Sequence, residues 1–195
     1  SACYKLTLFM TLFATAFRMG IEPFFFSHSK SDNPQKAYAQ ITNYFVILGS
    51  VILLSVVVFA DVLKLIIVPN SDYWEAMSVV PIIILASFFL GIYHNLSVWY
   101  KVTDRTKFGA YISLIGAILT IIINFAFIPY FGYVASAVAT LVAYGTMVIL
   151  SFFFGRMYYP IPYNHRKIIF YLAVSILFSM LSFYVFDRNL IIGSI

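Results

Sequence analysis

Two charged residues stand inside an otherwise apolar run: Arg18 and Glu22, between Phe9 and Phe26. Four residues apart, they fall on one face of a helix. A charge in the hydrocarbon of a membrane costs about 2.5–3.5 kcal/mol on insertion scales, so each needs a partner or a hydrated surrounding. Two readings follow. Either the pair lines an aqueous pathway in which Arg18 meets an anionic substrate, or the two charges neutralise each other and set helix packing. Arg18 can also reach the interface along its own flexible stem. Asn124 is a second polar group in an apolar stretch, Ile121–Ile128; it suits a cavity wall or a hydrogen bond between helices. His94 and Asn95, close to Trp99 and Tyr100, read as interfacial anchors, and His28 and His165 as solvated loop residues. Cys3 is the only cysteine, and no Cys/His grouping has zinc spacing. There is no HExxH, GxSxG or P-loop pattern and no carboxylate cluster, so neither a metal nor a cofactor is expected and an enzymatic role is disfavoured.

The elements that must position these residues follow from composition. Apolar residues make up 63% of the 195 positions and charged residues 10%, against about 45–50% and about 25% in soluble domains. So few charges cannot clothe a water-soluble surface, and lipid must be the solvent for most of the chain. A hydrocarbon core of about 30 Å takes about 20 apolar residues in a helix. Six stretches qualify: Leu6–Ser27, Ala39–Val68, Ala76–Tyr100, Phe108–Ile128, Tyr133–Gly155 and Ile168–Phe186. Their continuity argues against barrel strands, which alternate. The fold class is therefore all-α, a polytopic transmembrane bundle treated as one unit over residues 1–195. Pro23 and Pro81 are expected inside helices, where they favour kinks. Pro129 and Gly132 are expected to flank a tight helical hairpin. Small residues recur every fourth position at Gly109, Ser113 and Ala117 and at Ala135, Ala139 and Ala143, ridges that let helix backbones approach closely.

The net charge of +5 belongs to short loops between apolar runs, so it speaks of orientation in a bilayer and not of nucleic acid. One side carries Lys30, Lys36, Lys101, Arg105, Lys107, Arg156, Arg166 and Lys167; the other carries Lys5, Lys64 and Arg188. The first side is expected in the cytoplasm, with the first helix running inward. The Lys101–Lys107 loop is expected to meet anionic headgroups of the membrane lipids.

Three segments carry a family resemblance. Asn124, the run Ile128-Pro129-Tyr130-Phe131-Gly132-Tyr133-Val134-Ala135-Ser136-Ala137, then Ala139, Thr140 and Tyr144, resemble a segment of bacterial polysaccharide flippases. So do Tyr4-Lys5-Leu6 with Phe17-Arg18-Met19-Gly20-Ile21-Glu22-Pro23-Phe24-Phe25-Phe26, and Asn95-Leu96-Ser97-Val98-Trp99-Tyr100-Lys101. These flippases belong to the multidrug/oligosaccharidyl-lipid/polysaccharide flippase superfamily, whose fold has two helical bundles around a cavity open alternately to either side. The resemblance implies that the chain is the C-terminal half of such a transporter, helices eight to thirteen and the start of fourteen. The N-terminal half of the same protein would be its partner. It implies a bacterial inner-membrane location and a polyprenyl-diphosphate-linked oligosaccharide as substrate, moved for cell-surface polysaccharide or lipopolysaccharide synthesis. Arg18 then inherits the role of a cavity arginine facing the diphosphate. The competing readings are a drug/cation antiporter of the same superfamily, which would show isolated cavity carboxylates, and a membrane-embedded polysaccharide polymerase or acyltransferase.

Overall fold

A computed structural model describes residues 2–27, 32–59 and 79–180. Seven helices account for nearly all of them: α1 (Ala2–Ser27), α2 (Pro34–Val58), α3 (Val80–Leu96), the single-turn α4 (Val98–Val102), α5 (Lys107–Phe131), α6 (Tyr133–Tyr158) and α7 (His165–Met180). No strand occurs among the described residues. Among the described residues, five segments are long and apolar enough to cross a membrane, with α3 and α4 together making one, Val80–Val102. The sixth expected span begins at α7; residues 181–186 of it, like residues 60–68 and 76–78 of the second and third, lie outside the described residues.

Two prolines, Pro81 and Pro129, act differently from what the sequence suggested. Pro81 occupies the first turn of α3, not a helix interior. Its missing N–H is one that would lack an intrahelical acceptor anyway, so it starts the helix and does not kink it. Pro34 starts α2 in the same way. Pro129 lies inside α5, which runs on to Phe131, so the hairpin between α5 and α6 turns at Gly132 alone. That residue has φ +55° and ψ −132°, a backbone conformation open to glycine. Its N–H donates to the Ile128 carbonyl at 2.9 Å, closing the end of α5.

The helix α3 is the axis of the bundle. It packs against α1, α2 and α6; α5 packs along α6, and α7 rests on α2. The α2–α3 contact interlocks by exchange. The Phe88 ring of α3 lies over Gly49 of α2, and the Phe45 ring of α2 lies over Gly91 of α3. A Cβ at either glycine would come within 2.3 Å of the facing ring. Around this pair, Leu53, Val80, Ile84 and Ile92 fill one buried core, with Phe13 of α1 stacked on Phe45 at 5.3 Å.

Successive spans run in opposite directions. Phe25 at the end of α1, Tyr38 at the start of α2, Trp99 of α4 and Ile161 after α6 share a second core. There the Tyr38 hydroxyl donates to the Phe25 carbonyl at 2.9 Å, satisfying a carbonyl in the last turn of α1. The segments that hold Lys36, Lys101–Lys107 and Arg156–Lys167 therefore gather at one end of the bundle. An aromatic cluster of Trp99, Phe108, Phe154 and Tyr158 packs together at this end. The Arg105 guanidinium lies over the Tyr158 ring, 4.7 Å from its centre.

Candidate substrate-path seam

Where α2 meets α3 through rings and glycines, α1 meets α3 and α4 through polar side chains beside the buried Met10 and Ala14. On α1, Thr11, Thr15, Arg18 and Glu22 follow spacings of four, three and four, so one stripe of the helix carries them all. On the facing side Ser87, His94 and Lys101 repeat every seven residues. That period keeps them in line because Ser97, between α3 and α4, retains helical angles (φ −70°, ψ −10°). Pro23 lies within α1 beside this stripe and withholds the N–H that would bond the Met19 carbonyl.

The charges are arranged unequally. The Lys101 ammonium donates directly to Glu22 Oε1, joining α4 to α1. Arg18 Nε stands 3.9 Å from the other oxygen of the same carboxylate, Oε2, beyond hydrogen-bonding distance. The Arg18 side chain is 43% exposed, against 33% for Glu22 and 27% for Lys101. The only ion pairs among the described residues are these two, both on Glu22. Glu22 is thus neutralised by Lys101, and Arg18 remains as the surplus cation on the open side of α1.

Two narrow clefts run along the seam, and Arg18 and His94 line both. The first, between Glu22, Asn95 and Lys101, has a volume of about 10 Å³, room for one water at most. The second, between Thr15 and Ser87, has about 40 Å³. His94 therefore faces α1. Its neighbour Asn95 is buried and donates to the Gly91 carbonyl of its own helix at 3.0 Å.

Arg18 and Glu22 come together as their spacing implied, but Asn124 lies on α5 and lines neither cleft. Its Oδ1 is buried with no hydrogen-bond partner among the described residues. Of the small residues, Ala135, Ala139 and Ala143 are buried in one row of α6 that continues through Met147, Ser151 and Gly155. On α5, Gly109 is buried against the Tyr100 ring. Ser113 and Ala117 are exposed, and the buried row is instead Gly109, Ile112 and Gly116, with Gly116 against Met147. Ser113 still reaches the Tyr93 hydroxyl at 3.3 Å. Lys101 is the site residue that the sequence reading missed, because it was counted with the loop cations. The signal was present in the seven-residue interval from His94.

A bundle of membrane-spanning helices with a cationic seam beside its central helix has the form of a transporter, and comparison with known families agrees. The chain belongs to the MatE family, whose model matches residues 1–126, more than half of its length. MatE proteins are membrane transporters, not enzymes, within the multidrug/oligosaccharidyl-lipid/polysaccharide flippase superfamily. No curated protein and no solved structure shows a significant match to the chain.

Proposed function

We propose that the chain is the C-terminal bundle of a flippase that moves a lipid-linked oligosaccharide diphosphate across the bacterial inner membrane. In this reading the α1–α3 seam forms part of the substrate path. The observation that carries it is the surplus cation: Lys101 satisfies Glu22, leaving the Arg18 fork available to an anion. A guanidinium stays charged in any surrounding and can hold two phosphate oxygens by parallel hydrogen bonds. MatE membership is equally compatible with drug antiport. What favours an anionic substrate is that the seam's one carboxylate is already engaged by a cation, whereas coupling to protons or sodium calls for a carboxylate that can be vacated. The second bundle needed for alternating access belongs to the N-terminal half of the transporter.

The test uses the complete transporter in a strain lacking its own polysaccharide flippase, with membrane abundance of each variant measured in parallel. Arg18→Ala abolishes surface polysaccharide, and Arg18→Lys restores part of it, since lysine keeps the charge and loses the fork. If Arg18 served only to balance Glu22, its loss would be harmless, because Lys101 still neutralises the carboxylate. Full export by Arg18→Ala at normal abundance would therefore refute the substrate role. Glu22→Gln separates the two superfamily activities: a flippase retains export, and an antiporter loses its coupled efflux.

A further inference from the structure

The chain turns from α6 into α7 through Tyr159-Pro160-Ile161-Pro162-Tyr163, and this loop encloses a cavity. Two prolines fix two φ angles in five residues. The Tyr163 N–H donates to the Ile161 carbonyl at 2.8 Å, closing a three-residue turn. The Ile161 side chain is buried in the aromatic core of the same end, so the loop is held at both its middle and its end. The cavity beneath it has a volume of about 210 Å³, far above the about 10–15 Å³ that admits one water. Phe152, Arg156, Ile161 and Tyr163 line it, with both prolines.

Arg156 is the one charged group in that lining, and it has no ion-pair or hydrogen-bond partner among the described residues. Burial raises the Tyr163 phenol above its ordinary value, so this wall stays neutral and does not repel an anion. Phe153 and Ile149 stand one and two turns along α6 from Arg156 on the same face, and both are exposed. From the guanidinium an apolar lane thus leads away from the end of the bundle, along the span.

We propose that this cavity binds the headgroup phosphate of an anionic phospholipid, with Arg156 holding the phosphate and an acyl chain lying over Phe153 and Ile149. A phosphate free in solution has no use for the apolar lane or for walls made of rings and prolines. A lipid phosphate at the boundary of the bilayer matches both parts. The site is separate from the α1–α3 seam and does not depend on how Arg18 functions.

The experiment reconstitutes the 195-residue chain in nanodiscs of phosphatidylcholine with graded phosphatidylglycerol and counts retained lipids by native mass spectrometry. Arg156→Gln weakens phosphatidylglycerol retention about tenfold, the loss of a charge-assisted hydrogen bond, and Arg156→Lys recovers part of it. Arg105→Gln removes the same charge from the same end and changes retention by less than about twofold. Phe153→Ser weakens retention of long-chain lipid without affecting a short-chain analogue. Equal losses in the Arg156 and Arg105 variants would reduce the effect to general surface charge and overturn the proposal. So would displacement of the lipid by inorganic phosphate, or preferential retention of a polyprenyl phosphate from mixed nanodiscs.

Discussion

The central helix α3 has two kinds of neighbour. Toward α2 it presents Phe88 and Gly91, locked against Gly49 and Phe45 with no space for a methyl group. Toward α1 it presents Ser87 and His94, and with Lys101 beyond them it leaves clefts of about 10 and 40 Å³. The first contact is made of shapes that fit in one way only. The second adds one carboxylate and two cations to the apolar contact that Met10 and Ala14 of α1 make with the same core. Within a membrane, where lipid tails are as apolar as side chains, close packing and polar pairs are the main means of joining helices. This bundle joins α2 to α3 by close packing alone, and joins α1 to α3 and α4 by close packing together with polar pairs.

The comparison breaks most sharply at the interlocked face. Phe88→Ala removes a fully buried ring and should destabilise the bundle by about 3–5 kcal/mol, read as loss of folded protein in a thermal or denaturant titration in detergent. Gly91→Ala adds a methyl group against the Phe45 ring and the Ala14 Cβ, which a Cβ would approach to 2.3 and 3.1 Å. A cost of about 1–3 kcal/mol is expected there. An unchanged midpoint for both variants would show that this interlock contributes little to stability.

On the seam, the expected structural effects are smaller and the functional ones larger. Arg18→Ala should shift the unfolding midpoint by less than about 1 kcal/mol, the usual worth of a half-exposed pair, while export in the complete transporter is lost. Exchanging the partners, Glu22→Lys with Lys101→Glu, should recover most of the stability that either single change removes, with a coupling of about 0.5–3 kcal/mol. Strict additivity in that cycle would mean that the α1–α4 link contributes nothing. In the aromatic cluster, Trp99→Phe deletes the indole donor that meets the Ser151 carbonyl at 3.1 Å, for about 0.5–1.5 kcal/mol. The smallest effect belongs to α5: Ala117→Leu, on an exposed face, should stay within about 0.5 kcal/mol, whereas Gly116→Leu, against Met147, should not.

Composition alone settles the class of the molecule. Sixty-three per cent apolar residues with ten per cent charged leaves lipid as the only fitting solvent, and helical spans follow because every backbone polar group must then be bonded within its own segment. The pairing of Arg18 with Glu22 was equally local, since a helix brings residues four apart together wherever it lies. The tertiary structure alone decided which cation owns the carboxylate. Lys101 is 79 residues from Glu22 along the chain, and no local period connects residues on different helices. The face of α5 that is buried was also beyond the sequence: Gly109, Ser113 and Ala117 drift around the helix by about 40° per four-residue step, and only the position of α6 selects Gly116 over Ala117. Pro129 likewise resembled a helix end by residue type alone. The helix continues past it because a proline costs one hydrogen bond, while the turn itself needs the left-handed angle that Gly132 supplies.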